Sequence, residues 1–220
     1  MPLLRRLLIP FSILYYLFQL IRNKLFDLNI LKTTKFNFPI IAIGNLSVGG
    51  TGKTPLANYL ITKLKSKYKL TFLSRGYMRK TSGYILANEY SSVNEIGDEP
   101  FLIKQTHNDI TVAVCENRVH GIQSSLQIKN ESNLFILDDA FQHRSLKVSI
   151  NIVLSKFNQP FFKDFIIPSG NLREPASGIK RANIIIISKC PYNLNETIKN
   201  DFVRKIKPNS DQKVFFTSIN

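Results

Sequence analysis

The fold of this chain is decided by residues 40–54, which read Ile-Ile-Ala-Ile-Gly-Asn-Leu-Ser-Val-Gly-Gly-Thr-Gly-Lys-Thr. The apolar run Ile40–Ile43 predicts a buried parallel strand, and Thr54–Lys67 carries its apolar residues at helical spacing. The glycine-rich turn between them presents successive backbone N–H groups at a helix N-terminus, where the amides and the helix dipole attract phosphate. Nucleotide binding is therefore the first hypothesis.

The phosphate-binding residues that this pattern predicts are Ser47, Val48, Gly49, Gly50, Thr51, Gly52, Lys53 and Thr54. Ser47 stands where the usual P-loop has glycine, but the three glycines that follow keep the backbone permissive. Lys53 is placed to reach the β- and γ-phosphates, and Thr54 to offer its hydroxyl to Mg²⁺. The alternative is a glycine-rich loop with a chance lysine, which the order of strand, Gly-Lys-Thr and helix disfavours.

A second signal is the apolar run Leu134–Leu137, which ends in the carboxylates of Asp138 and Asp139. Acids at the carboxyl end of a buried strand lie at the edge where open α/β sheets bind ligands. We therefore expect both to support the metal of a nucleotide site. The alternative is an ordinary turn or helix cap, which aspartates also favour after strands.

The composition of this 220-residue chain limits the classes of partner that suit it. The chain has 30 Lys and Arg against 15 Asp and Glu, which gives a net charge of +15. Such a charge suits phosphate-rich partners or an anionic membrane, although a lysine-rich, solvated surface is the simpler explanation. We find neither zinc-finger spacing nor an RNA-binding aromatic run, so we expect no nucleic-acid partner. Cys115 and Cys190 lie far apart and are expected to be reduced and buried, which suits a cytoplasmic compartment.

The N-terminus predicts a membrane-associated amphipathic helix within residues 1–31. The segment Leu7–Ile21 is largely apolar, it is shorter than the ~20 residues that span a bilayer, and no signal-peptide cleavage site follows it. Cations flank it at Arg5, Arg6, Arg22 and Lys24. We expect an interfacial helix with Tyr15, Tyr16 and Phe18 at headgroup depth. The alternative is a helix that packs on its own domain.

Residues 38–220 alternate between strand-like and helix-like segments, which predicts an α/β fold with a mainly parallel sheet flanked by helices, like a P-loop NTPase. The predicted strands are 38–43, 70–73, 111–115, 134–137, 150–154, 184–188 and 214–217. Two loops fall at the expected ligand edge: the basic loop 74–80 and the acidic turn 96–100, which precedes a short helix. Either loop is equally consistent with ordinary surface.

Five ordered motifs together resemble the tetraacyldisaccharide 4'-kinase family: Gly44–Pro55, Ser74–Tyr77, Gly97–Pro100, Asp138–Arg144 and Pro168–Pro175. The resemblance implies a P-loop kinase core over residues 38–220 that uses ATP and Mg²⁺. Its substrate would be an acylated disaccharide 1-phosphate lipid, phosphorylated on the 4'-hydroxyl during lipid A synthesis. It would act peripherally or monotopically on the cytoplasmic face of the bacterial inner membrane; the resemblance leaves the oligomeric state open.

The resemblance also implies roles for individual residues. Asp98 would draw the proton from the attacking hydroxyl, and the further catalytic residues would be Lys53, Asp139 and Arg173. The metal would be held by Thr54, Asp138 and Asp139. The residues implied to bind substrate are Asn45, Arg75, Arg79, Glu99, Gln142, His143, Arg173 and Glu174. Arg173 and Glu174 are also consistent with a surface ion pair, and His143 with a residue that supports a neighbour.

The chain departs from the family pattern at Met78 and Ala140, where glycine is usual. Nothing after Thr217 resembles the family's C-terminal Asp-His motif, so we expect the chain to lack that portion. Two other functions stay open: a membrane-associated P-loop switch ATPase, and a truncated ATP- or lipid-binding module without full kinase activity. Switch ATPases of the partitioning type place a lysine where this chain has Val48, which disfavours the first.

Overall fold

The computed structural model describes Arg5 and residues 7–128 and 131–218. Its chain divides into two compact units. The terminal unit comprises residues 1–32, 45–52 and 151–220, and the central unit comprises residues 33–44 and 53–150. Arg6, one of the predicted flanking cations, lies outside the described residues.

The central unit is a β-sheet with helices packed on it. Its strands are β1 (Ile40–Asn45), β2 (Leu70–Ser74), β3 (Ile85–Leu86), β4 (Thr111–Val114) and β5 (Leu134–Leu137). Its helices are α2 (Lys53–Leu64), α3 (Val93–Ile96), α4 (Asp98–Thr106) and α5 (Arg118–Ile128). The strand order is β3-β4-β2-β5-β1, parallel except for the antiparallel edge strand β3. Every residue of β2 and β5 is buried, as is typical of parallel strands, which are covered on both faces. Helices α4 and α5 pack against β2 and β4.

The terminal unit contains helix α1 (Ile9–Asp27), strands β6 (Ile150–Lys156), β7 (Ile184–Ser188) and β8 (Lys213–Phe216), and helix α6 (Glu196–Ile206). The three strands pair in parallel in the order β6-β7-β8. Phe202 of α6 stacks on Phe157 with ring centroids 4.9 Å apart, and it meets Phe216 edge-on at 6.2 Å. Short 3₁₀ turns occur at Phe161–Lys163 and Ala176–Arg181.

The mainly parallel sheet and all seven predicted strands are confirmed, with ends that differ by at most two residues. The sequence did not predict β3, because two residues are too few for a periodic signal. Both cysteines are free and buried, as expected.

Helix α1 is longer than the apolar run that predicted it, ending at Asp27. Most of its large apolar residues are exposed, among them Leu14 at 69% and Phe18 at 59%. The hydroxyl of Tyr15, one of the residues expected at headgroup depth, donates a hydrogen bond to the backbone carbonyl of Arg173, 2.9 Å away. Among the described helices, none has the length and apolar character needed to cross a bilayer.

Candidate functional site

The phosphate loop follows β1 directly and leads into α2 (Lys53–Leu64), the order that the sequence predicts. The side chain of Asn45 is buried, and its Nδ2 donates to the carbonyl of Gly49 and to Oγ1 of Thr51, each at 3.3 Å. Gly49 has φ +101°, a conformation that residues with a Cβ rarely adopt. Asn45, which the family resemblance places in substrate binding, thus braces the loop from inside.

Lys53 and Thr54, the first two residues of α2, each meet an acidic side chain of the central unit. The Nζ of Lys53 lies 3.5 Å from Oδ1 of Asp139, and only 10% of the lysine side chain is exposed. The Oγ1 of Thr54 donates to Oε1 of Glu99 at 3.3 Å. The sequence motifs on α2, α4 and the turn after β5 therefore converge on one cluster, which we call the acidic cluster: Lys53, Thr54, Glu99, Asp138 and Asp139.

Asp138 is the buried member of the acidic cluster, with 1% of its surface exposed. Its Oδ2 accepts a hydrogen bond from Oγ of Ser74 at 3.2 Å. Its backbone carbonyl accepts one from the guanidinium of Arg118 at 2.8 Å. The position of this carboxylate is thus fixed by groups that hold both its side chain and its main chain.

The electrostatics of the cluster raise the pKa of the Asp138 carboxyl to about 8. Burial is the largest cause, followed by the charge of Glu99, a hydrogen bond with Glu99 and the charge of Asp139, whereas Lys53 acts in the opposite direction. The charges of Glu99 and Asp139 thus disfavour ionisation of Asp138, whereas a positive charge beside it favours ionisation. Such an arrangement favours a bound cation.

Magnesium fits these residues better than a metal held wholly by protein. In the described part of the chain, no group of three or more His, Cys, Asp or Glu side chains has the arrangement of a metal site. Mg²⁺ prefers oxygen ligands and is usually held by one or two carboxylates, waters and substrate phosphates. The hydroxyl of Thr54 and the carboxylates of Asp138 and Asp139 supply that donor set.

Asp98 and Glu99 begin helix α4 (Asp98–Thr106), and Oδ1 of Asp98 accepts the backbone N–H of Glu99 at 2.9 Å. Gly97 precedes them with φ +86°, and a Cβ there would lie 2.9 Å from the carbonyl carbon of Gly76. That distance is too short for any side chain. The Ser-Arg-Gly-Tyr motif therefore fixes the start of α4, and through it both acids.

The other predicted substrate residues of the central unit are placed differently. Arg75 is exposed in the loop after β2. The guanidinium of Arg79 forms an ion pair with Glu116 and donates to the carbonyl of Gly83 at 2.6 Å, so in this structure it closes its own loop. Gln142 and His143 are half-buried in the turn that follows Asp139.

Arg173 and Glu174 lie in the terminal unit, in the segment that follows the cis peptide bond Ile167-Pro168. Glu174 is 2% exposed, and its Oε2 accepts a hydrogen bond from Arg181 at 2.7 Å. Glu174 thus forms an ion pair with Arg181, in which 3% of the glutamate side chain and 23% of the arginine side chain are exposed. The backbone N–H of Arg173 donates to the carbonyl of Leu46 at 2.7 Å.

Three residues that support the site were not expected from the sequence. Arg118 and Ser74 hold Asp138, and the Nζ of Lys156 lies 3.6 Å from where a Cβ on Gly49 would be. Arg118 follows β4 in a polar stretch that is typical of surface, and its contact with Asp138 spans 20 residues of sequence. Only the fold brings it there.

The whole chain can now be compared with known proteins. Its sequence matches the family model described as tetraacyldisaccharide-1-P 4'-kinase over residues 4–216. The chain belongs to the tetraacyldisaccharide 4'-kinase family. The match covers all five motifs, so the resemblance drawn from them is confirmed.

Two curated relatives and one crystal structure describe the extent of the similarity to this family. Tetraacyldisaccharide 4'-kinase of Flavobacterium johnsoniae is 49% identical over 219 residues, which are 100% of this chain and 64% of the relative. That of Bacteroides fragilis is 44% identical over 96% of this chain and 56% of its own length. The crystal structure of LpxK from Aquifex aeolicus in complex with ATP is 34% identical, with a TM-score of 0.78 over 99% of this chain and 82% of that one.

The structural match confirms the predicted fold class, a mainly parallel P-loop NTPase-like sheet flanked by helices. The chain spans 56–64% of the length of these two curated relatives.

Proposed function

We propose that this chain binds ATP with Mg²⁺ and forms the nucleotide-binding part of a kinase. The enzyme transfers the γ-phosphate of ATP to the 4'-hydroxyl of a tetraacyldisaccharide 1-phosphate. The observation that carries the proposal is the acidic cluster, in which Lys53 and Thr54 of the phosphate loop meet Asp139 and Glu99. Family membership supplies the acceptor, because both curated relatives are named for that reaction.

Each part of the proposed site has a role that phosphoryl transfer requires, namely positioning and neutralisation of charge. Lys53 releases Asp139 and binds the β- and γ-phosphates. Thr54, Asp138 and Asp139 hold Mg²⁺, which shields phosphate charge when it is bound. Asp98, exposed at the start of α4, accepts the proton of the attacking hydroxyl, with Glu99 beside it.

The remaining proposed roles concern the acceptor. Within the central unit, we propose that Arg75, Gln142 and His143 offer polar contacts to substrate. Arg173 of the terminal unit is proposed to bind substrate because it matches the family motif. Arg79, Glu174 and Asn45 are engaged within the protein, so we propose that they act on the substrate by holding the loops that touch it.

A lipid acceptor also needs a place for its acyl chains, and the terminal unit offers an apolar cavity of about 470 Å³ beside α1. Its lining includes Ile9, Ile13, Phe165, Ile166 and Leu172. We propose that residues 1–31 form a membrane-associated helix on the cytoplasmic face of the inner membrane, that residues 38–220 form the kinase core, and that the cavity accepts part of an acyl chain. Basic residues near the helix favour anionic lipid.

The decisive experiment compares Lys53→Ala with Lys63→Ala, which removes an exposed lysine from the last turn of the same helix. A ligand that binds only the folded protein stabilises it by about 2.7 kcal/mol at 100 times its Kd, or roughly 5–10 °C in Tm at this size. We expect Mg²⁺-ATP to raise the Tm of the parent chain and of Lys63→Ala by that amount, and that of Lys53→Ala by much less.

Transfer of phosphate to the acyl disaccharide acceptor is measured in parallel on the same three proteins. We expect transfer by the parent chain and its loss in Lys53→Ala. A normal ATP shift without transfer would favour the second candidate, a binding module without full kinase activity. An unchanged ATP shift in Lys53→Ala would contradict the proposal.

A further inference from the structure

Helix α1 turns a polar stripe toward the rest of the terminal unit. Ser12, Tyr15 and Gln19 follow one another at spacings of three and four, which places them on one face of the helix. Ser12 is the buried residue of α1, whereas its apolar neighbours Ile13 and Leu14 are exposed. The most buried side chain of this helix is therefore a hydrogen-bonding one.

Ser12 and Tyr15 form hydrogen bonds with residues 166–173, which we call the strap. Ser12 Oγ lies 2.7 Å from Oγ of Ser169 and 3.2 Å from the carbonyl oxygen of Ile166, and it accepts the backbone N–H of Ser169 at 2.9 Å. The Tyr15 hydroxyl donates to the carbonyl of Arg173 at 2.9 Å and accepts from Nε2 of Gln19 at 2.6 Å.

The strap is paired with the phosphate loop along its other edge. The backbone N–H of Val48 donates to the carbonyl of Asn171 at 2.8 Å, and that of Arg173 donates to the carbonyl of Leu46 at 2.7 Å. Ser47 and Leu172 form the antiparallel bridge between these two bonds. The carbonyl of Arg173 thus accepts the hydrogen bond from Tyr15, while the backbone N–H of Arg173 donates to the phosphate loop.

We propose that Ser12 and Tyr15 are positioning residues that fix the phosphate loop through the strap, so that docking of α1 and binding of nucleotide are coupled. The glycines of the loop give it many conformations, and the two strap bonds select one of them. A group that orders the loop before ATP arrives reduces the entropy that ATP must remove. The inference rests on the proposed nucleotide binding.

The coupling works in both directions, because any free-energy link between two sites is reciprocal. A lipid surface that covers the exposed apolar side of α1 holds the helix, the strap and the loop together. ATP bound to the loop in turn steadies the strap and the helix. The proposal therefore predicts tighter Mg²⁺-ATP binding on anionic vesicles than in buffer.

Tyr15→Phe tests the link with the smallest change, since it removes one hydroxyl and keeps the ring. Tyr90→Phe is the matched control, because the side chain of Tyr90 is exposed in a loop of the central unit. Loss of such hydrogen bonds typically changes an equilibrium by roughly twofold to tenfold. We expect the Kd of Mg²⁺-ATP to rise by that factor in Tyr15→Phe and to stay unchanged in Tyr90→Phe.

Amide hydrogen exchange provides a readout that does not depend on nucleotide. We expect faster exchange at the N–H groups of Val48 and Arg173 in Tyr15→Phe and in Ser12→Ala, with strand β7 unaffected. Vesicles of phosphatidylglycerol should slow exchange at the same two amides in the parent chain, and less so in either variant. Unchanged exchange in both variants, or an equal change in Tyr90→Phe, would overturn the proposal.

The two measurements separate this inference from the proposed function. If the parent chain does not bind Mg²⁺-ATP while exchange responds as expected, nucleotide binding fails and with it the coupling, although the link from α1 to the loop stands. If Mg²⁺-ATP binds but neither its Kd nor exchange responds to Tyr15→Phe and Ser12→Ala, the coupling alone is refuted.

Discussion

Arg118 shows how a single buried side chain can hold a site from within the protein. It is 2% exposed, and its guanidinium donates to the carbonyl of Cys115 at 2.7 Å and to that of Asp138 at 2.8 Å. Burial lowers the pKa of the Arg118 guanidinium, whereas the charges of Asp138 and then Asp139 act to raise it. One cation therefore satisfies buried carbonyls and offsets buried acids.

We expect Arg118→Met to lower the free energy of unfolding by roughly 2–4 kcal/mol, because two buried carbonyls lose a charged donor. Urea unfolding followed by circular dichroism measures the change. The matched control is Arg204→Met, which removes an arginine that is 81% exposed and pairs with Asp201 on α6. A loss of similar size in both variants would contradict the proposed role of Arg118.

For single residues, the sequence predicted which side chains come together better than it predicted which partners each of them contacts. Lys53, Thr54, Asp138 and Asp139 were found because a motif fixes their order along the chain. The partner of Thr54 lies 45 residues away in Glu99, and no local pattern encodes that distance. Arg79 had the right charge and position for substrate, but its pairing with Glu116 depends on a fold that sequence periodicity does not describe.

Among the elements, α4 (Asp98–Thr106) is joined to α2 through the residue that ends it. His107 caps the C-terminus of α4, is 4% exposed, and places Nε2 2.6 Å from Oδ1 of Asn58 on α2. Burial, and then the charge of Lys65, lower the pKa of His107, whereas Asp109 acts to raise it. The folded chain therefore favours the neutral ring.

Because the folded chain favours neutral His107, the free energy of unfolding depends on pH. Because the folded-state pKa is lowered, the unfolded chain binds the extra proton first, so stability is complete above the ordinary histidine pKa of about 6.5 and falls as the pH drops below it. The urea midpoint of the parent chain should fall between pH 7.5 and pH 5.5, and we expect a smaller fall in His107→Gln. The corresponding change in the free energy of unfolding is at most about 1.4 kcal/mol per pH unit. His120→Gln, at an exposed histidine of α5, should retain the parent behaviour.

The elements themselves were predicted well where they are long and buried. Strands β5 and β7 begin and end where the apolar runs do, since strands covered on both faces read as continuous apolar segments. Helix α1 was predicted from its outward, apolar side. Its inward polar stripe was missed, because periodicity reports which residues are apolar and not which ones find hydrogen-bond partners.

For the whole molecule, attachment to lipid should depend on the exposed side of α1. Leu14 and Leu17 are 69% and 49% exposed, and the chain as a whole carries a net charge of +15. Burying such leucines in the interface and bringing cations to anionic lipid are both favourable, and salt screens only the second.

We expect the double variant Leu14→Glu and Leu17→Glu to bind phosphatidylglycerol vesicles at least about tenfold more weakly. Co-sedimentation with vesicles measures it at low and high salt. Leu102→Glu, which changes a leucine that is 56% exposed on α4, is the control and should bind as the parent does. Equal binding by all three proteins would remove α1 from the proposed membrane contact.

The outward apolar side of α1 also has a consequence for work with the purified chain. In a buffer free of detergent, the exposed Phe11, Leu14 and Phe18 can leave water by packing against another copy of the same helix. The particle size measured by size-exclusion chromatography under those conditions would then reflect self-association through this surface. Gradual addition of a mild detergent should dissolve such assemblies into smaller particles and reveal the number of chains that associate by other means.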